Sequence, residues 1–190
     1  MRTRIGATGL AGMIALLLVA LSRSATAGAA DNVDPDVRVR EHSGVYTVAA
    51  RFQVPQAPAV AVAVLTDYEQ IPRFMPDVKT SIVRGRFPGG VIVEQEAVAR
   101  VMMFSRRVHL MLEVRIDPDV IRFRDSCGRS FMTYEGAWRL AQVDGRTEIT
   151  YELAARPNFD VPQFLLTRLL KRDARQMIER LRGEMAARLR

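Results

Sequence analysis

Between Thr80 and Ala155 the chain alternates apolar and polar residues, and from Pro162 onward it changes to helical spacing. This change of period constrains the fold most, because side chains alternate across a strand but recur every third or fourth residue on a helix. Val91, Val93, Gln95, Ala97, Ala99 and Val101 share one face, with Glu94, Glu96 and Arg100 opposite. Val108, Leu110, Leu112, Val114 and Ile116 repeat the pattern against Arg107, His109, Glu113 and Arg115. After a turn at Pro118-Asp119, Ile121 and Phe123 alternate with Arg122 and Arg124. Beyond Cys127-Gly128, the residues Met132, Tyr134, Gly136, Trp138 and Leu140 fall on one face. Asp144-Gly145 is a hairpin signal, and Ile149, Tyr151 and Leu153 follow it opposite Glu148, Thr150 and Glu152. Short turns between one-sided strands predict an antiparallel meander with one buried face.

From Pro162 to Arg190, Phe164/Leu165, Leu169, Leu170, Ala174, Met177, Ile178, Leu181, Met185 and Leu189 follow i, i+3, i+4 spacing. They predict an amphipathic helix of about seven turns, with Asp160 as its N-cap and Pro162 in its first turn. Upstream, Val37–Arg40 and Val45–Phe52 alternate around Gly44 and read as a strand or hairpin. Pro58–Asp67 is open between strand and helix, since its Ala/Val alternation sits behind a proline. In Pro72-Arg-Phe-Met-Pro76 the prolines bracket about one turn. Pro72 suits a first helical position with Ile71 pushed out of the helical region, and Pro76 makes Met75 extended. A turn this short is unstable alone, so Phe74 and Met75 must rest on something, and the terminal helix is the available partner.

At the N-terminus, Arg2 and Arg4 precede an uncharged run from Gly9 to Leu21, followed by Ala25-Thr-Ala27 and Ala27-Gly-Ala29. The order is that of a cleaved secretory signal over residues 1–30, leaving a single domain over 31–190 in the periplasm or outside the cell. Membrane anchoring by the uncleaved segment is the alternative. Without residues 1–30 the formal charge falls from +7 to +4, and the tail from Pro162, at +5, carries all the excess. Arg168, Lys171, Arg172 and Arg175 on that tail suit either a solvated helix face or docking on anionic membrane. An exported protein has no nucleic acid to meet. A lone cysteine, Cys127, precludes an intrachain disulfide.

Catalytic patterns are missing. There is no G-x-S-x-G, H-x-x-x-H or C-x-x-C, and no glycine-rich phosphate loop. Metal and cofactor are therefore not expected. Glu94, Glu96, Glu113, Glu148 and Glu152 all read outward. The inward face still carries polar tips at Gln95, Tyr134, Trp138 and Tyr151. They suit either a satisfied core network or the wall of a cavity that orients an apolar ligand.

Val64-Leu-Thr-Asp-Tyr68 with Ile71-Pro-x-Phe-Met-Pro76 and Val78, then Gln95, Tyr134-Glu-Gly-x-Trp138, Thr150-Tyr151 and a closing amphipathic helix, resemble the polyketide cyclase/dehydrase and lipid-transport superfamily. This is the START-like, or SRPBCC, group, and the ubiquinone-binding START-like type is the most similar. The resemblance implies an α+β helix-grip fold. In it, a curved antiparallel sheet of about six or seven strands surrounds the C-terminal helix, with two short helices after the first strand. It also implies an apolar cavity between sheet and helix. Phe74 and Met75 then stand at its mouth, and Gln95, Tyr134, Trp138, Tyr151, Phe164 and Met177 are candidates for its wall. The expected function is an exported carrier of a hydrophobic small molecule such as a lipid, isoprenoid or quinone, rather than an enzyme. A cyclase or dehydratase acting on an apolar, polyketide-like substrate is the alternative. It requires an inward acid or base, for which Tyr134 and Tyr151 are the nearest groups. Oligomeric state is left open.

Overall fold

A computed structural model describes residues 34–101, 104–160 and 162–188. The apolar N-terminal run and its cleavage motifs lie outside them. Eight strands form one antiparallel sheet: β1 (Asp36–His42), β2 (Val45–Val54), β3 (Val78–Phe87), β4 (Gly90–Val101), β5 (Phe104–Ile116), β6 (Val120–Asp125), β7 (Phe131–Val143) and β8 (Arg146–Pro157). Their order is β1-β2-β8-β7-β6-β5-β4-β3, so the meander from β3 to β8 ends beside the β1–β2 hairpin. The count is eight rather than six or seven. The strand hidden in the sequence is β3, whose register against β4 shifts between Val78 and Thr80 and again between Val83 and Gly85. Each shift breaks the two-residue alternation by which a strand is read.

Between β2 and β3 run α1 (Pro58–Leu65), a 3-10 turn (Tyr68–Gln70) and α2 (Ile71–Phe74). Pro58–Leu65 is helical because Pro58 supplies a preset first turn, and its Ala61 and Val64 are completely buried. Ile71 is helical as well, against expectation: its φ and ψ are −48° and −44°. The preceding 3-10 turn already holds it in the helical region. Pro72 falls within the first turn, where its missing N–H costs no hydrogen bond. Met75 ends α2 with ψ of 80°, as a residue before proline should.

The last helix, α3 (Gln163–Ala187), buries Leu166, Leu169, Ala174, Ile178, Leu181 and Met185 on one stripe. Its cap position is occupied by Pro162 with no side-chain bond, so Asp160 does not cap it. The far end is fastened by Arg188. This guanidinium donates to Asp67 Oδ2 at 2.8 Å and to the Ala63 carbonyl at 3.3 Å, and it pairs with Glu184 at 3.0 Å. Asp67 thus ties the end of α1 to α3. Ten residues later Asp77 ties the end of α2 to the sheet: its carbonyl accepts from Val98 N–H and its carboxylate from Arg100, both at 2.8 Å. The two aspartates clamp the segment that carries Phe74 and Met75.

On the sheet's outer face the glutamates pair with arginines, Glu94 with Arg84 at 2.5 Å and Glu113 with Arg124 at 2.7 Å. Side-chain hydrogen bonds from Arg124 and Arg115 hold the Glu113 carboxyl below the ordinary carboxylate range. Charge on that face is balanced locally, which leaves the other face to the core.

Candidate functional site

The inner face of the sheet and the stripe of α3 do not meet completely. They enclose a cavity of about 790 Å3, with α1, the 3-10 turn and α2 closing one side. Its wall has two parts. One is aliphatic, built from Val64, Leu65 and Ile71 on the short helices and Leu169, Leu170 and Leu181 on α3. The other is aromatic and lies on β6, β7, β8 and the loop that follows β8.

The aromatic part is a continuous series of rings. Trp138 lies 4.3 Å from Tyr151, Tyr151 is 6.4 Å from Phe123, and Phe123 is 6.0 Å from Tyr134. Phe131 is 4.9 Å from Tyr134 and 6.3 Å from Phe159. Strand pairing explains the series, since Trp138 stands opposite Tyr151 on β8 and opposite Ile121 on β6. Phe123 faces Gly136. A Cβ on Gly136 would lie 2.7 Å from the Phe123 ring and 2.1 Å from the Glu152 carbonyl oxygen. Gly136 is therefore the space into which the Phe123 ring folds, a cross-strand pairing of glycine with an aromatic.

The Tyr134 and Tyr151 hydroxyls are near enough to influence one another's ionisation. Burial pushes Tyr134 up to about 12, the neighbouring Tyr151 hydroxyl holding it back somewhat, and burial raises Tyr151 well above the ordinary value of 10.0. Both are neutral across the physiological range. Gln95 donates to Ser81 Oγ at 3.1 Å, so the buried serine satisfies one of its amide hydrogens. Of the charged lining residues, Arg106 and Asp160 are exposed, the side chains of Asp77 and Asp173 keep 50% and 44% of their accessible area, and Arg180 is half-buried.

Of the residues singled out from the sequence, Phe74, Met75, Gln95, Tyr134, Trp138, Tyr151 and Met177 all line this cavity. Phe164 does not. It is 63% exposed at the start of α3, and Leu165 and Leu166 take the inward positions. The face of β7 also differs at one end. Met132 is 65% exposed, while Phe131 points to the cavity. The β7–β8 register shifts between Phe131 and Thr133, so Met132 is an inserted residue that reverses the alternation before it. Sequence reading also misses Phe123, Phe131, Phe159 and Tyr68 as lining residues. Tyr68 is 9% exposed, its hydroxyl has no partner among the described residues, and burial raises it to about 12. The Asp-Tyr pair preceding the two prolines was the available signal for it.

The exposed cations Arg168, Lys171 and Arg175 lie along α3, and Arg172 is engaged with Asp173 at 3.0 Å and with the Arg100 carbonyl at 2.9 Å. No cluster of ligand-type side chains able to hold a metal occurs among the described residues.

Residues 46–189 match the family described as polyketide cyclase / dehydrase and lipid transport. No curated protein matches the chain. Solved structures of the same architecture include a START superfamily protein from Mycobacterium smegmatis, 15% identical with a TM-score of 0.63 over 74% of this chain and 97% of that one. The Zhui aromatase/cyclase from a Streptomyces species is 16% identical, with a TM-score of 0.65 over 77% and 96%. A STAR-related lipid transfer protein from Xanthomonas axonopodis is 15% identical, with a TM-score of 0.58 over 80% and 99%. At such identities the likeness concerns the fold.

Proposed function

Because the chain belongs to the polyketide cyclase/dehydrase and lipid transport family, with its helix-grip fold, we propose that it is an exported carrier holding one hydrophobic small molecule, such as a lipid, isoprenoid or quinone, between the sheet and α3. The observation that carries this reading is the cavity of about 790 Å3, whose wall is mostly apolar and whose few charged residues all keep some exposure to solvent. Such a composition suits a ligand held by burial of apolar surface, with sparse polar contacts for orientation.

Catalysis fits the same wall less well. A general acid or base works best with a pKa near the operating pH, and Tyr134 keeps its proton up to about 12. The carboxylates of the lining are Asp77, Asp160 and Asp173, and burial raises Asp173, with Arg172 paired to it at 3.0 Å. Zhui, an aromatase/cyclase, keeps the enzymatic alternative in view. Turnover of an apolar polyketide-like substrate, lost in Tyr134→Phe or Tyr151→Phe, would replace the carrier reading.

Export rests on the N-terminal sequence, and docking on anionic membrane rests on Arg168, Lys171, Arg172 and Arg175 beside the exposed Phe164. Attraction to anionic lipid contributes about 1 kcal/mol per cation near the surface. The binding test is titration of delipidated protein with a panel of phospholipids, isoprenoids and quinones, followed through Trp138 fluorescence. Saturable one-to-one binding of at least one class is expected, and failure of every class refutes the carrier.

A further inference from the structure

We propose that the aromatic end of the cavity selects a ligand whose buried part presents a neutral oxygen acceptor, such as a ketone or ester carbonyl, and that Tyr134 and Tyr151 are the residues that select it. The inference rests on reading the cavity as a ligand site and goes on to assign the chemistry of the ligand's inner end.

Two hydroxyls carry two protons, and the pair can share at most one of them. Whichever tyrosine donates to the other, a second O–H remains. Among the described residues neither hydroxyl has another partner. Tyr151 is only 6% exposed, and the surroundings of the pair are rings: Phe131 at 4.9 Å from Tyr134, and Trp138 at 4.3 Å from Tyr151. An O–H in such a wall loses its water once an apolar ligand fills the cavity, and without an acceptor on that ligand the loss is unfavourable. Gln95, another neutral polar group of the wall, is bonded to Ser81 rather than to either tyrosine. The acceptor must then come with the ligand.

The acceptor must also be uncharged. A carboxylate or phosphate beside the tyrosines would lose its water with no cation to replace it. The cations of the lining, Arg106 and Arg180, are not at the tyrosine pair: Arg106 is exposed and stacked at 4.1 Å on Phe159, the last ring of the series, and Arg180 is on α3. An anionic amphiphile therefore enters tail first and leaves its charge at the rim. A ketone or ester places its oxygen inside.

Three probes of equal chain length test this: heptadecane, 2-heptadecanone and heptadecanoate, each delivered from cyclodextrin to the delipidated full chain. Trp138 is the only tryptophan and touches Tyr151, so its fluorescence reports occupancy of the aromatic end. One buried hydrogen bond predicts that the ketone binds about 5- to 10-fold tighter than the alkane. Tyr134→Phe and Tyr151→Phe should remove most of that ratio and leave the alkane within about twofold of wild type. Heptadecanoate should be indifferent to both substitutions and weakened by salt. Equal binding of ketone and alkane by wild type overturns the proposal, a comparison that stands even if a variant misfolds. So does tight, salt-insensitive heptadecanoate binding that Tyr134→Phe abolishes. If none of the three binds, the alkane included, it is the ligand reading itself that fails.

Discussion

Replacing Gly136 with alanine adds one methyl group at the point where the aromatic wall is assembled. An ideal Cβ there would lie 2.1 Å from the Glu152 carbonyl oxygen and 2.7 Å from the Phe123 ring. The ring can rotate away, but Glu152 is backbone of β8, and β8 is paired on both sides, with β7 and β2. Relieving the first contact means moving β7 from β8 by roughly an ångström at the Gly136–Leu153 pair, or breaking a ladder bond. Overpacking of this kind costs about 1–3 kcal/mol, and loss of one buried backbone hydrogen bond adds about 1 kcal/mol. For a domain of this size each kcal/mol lowers Tm by about 2–4 °C. Gly136→Ala should therefore lower Tm by roughly 4–16 °C. It should also shift the near-ultraviolet circular dichroism, because the Phe123, Tyr151 and Trp138 rings lose their arrangement. Thermal unfolding of the purified variant checks the first, and the aromatic spectrum of the folded variant checks the second. A variant within about 1 °C of wild type with an unchanged spectrum would refute the close packing of β7 on β8.

Phe74→Ala should cost only about 1–2 kcal/mol, below the value for a fully buried ring, because Phe74 is partly buried on the cavity side of α2. Ligand release followed by stopped-flow fluorescence should accelerate several-fold, and a large loss of stability with unchanged release would make the ring a fixed plug. Tyr68→Phe removes a buried hydroxyl that has no partner among the described residues, so the ligand-free protein should gain about 1 kcal/mol, or 2–4 °C in calorimetry. A fall of several degrees would mean that the hydroxyl is bonded after all. Tyr68 and Tyr134 keep their protons to about 12, above the ordinary value of 10.0. A raised folded pKa gives stability that is complete below the unfolded value and lost as pH rises toward the folded one. Denaturant midpoints should hold up to about pH 10 and fall between pH 10 and 12. Tyrosinate absorbance from these two residues should appear together with unfolding, and its earlier appearance in folded protein would contradict their burial.

The sheet was legible where its alternation is unbroken. In β4, β5 and β8 the inward residues are those the period assigns, down to Gln95 and Tyr151. Bulges defeat the same reasoning, because an inserted residue reverses the parity of everything beyond it. That is why Met132 and Phe131 exchange places and why β3 was hard to count. The helical stripe of α3 was also legible, except at its first turn. There Phe164 precedes the point at which the stripe meets the core, and spacing alone does not say where contact begins. Phe123 alternated correctly, but its part in the aromatic wall depends on the glycine opposite it on another strand. Phe159 lies in a loop with no period at all. Spacing left Pro58–Asp67 open, and the family resemblance favoured helix there because it carries the order of elements.

The central claim, one apolar molecule held between sheet and α3, is tested most directly by native mass spectrometry of the protein purified without detergent. The expected result is a population heavier than the chain by the mass of a single ligand, which organic solvent releases and which returns on adding the extract. A spectrum of bare chain only, unchanged after incubation with that extract or with 2-heptadecanone, would contradict it.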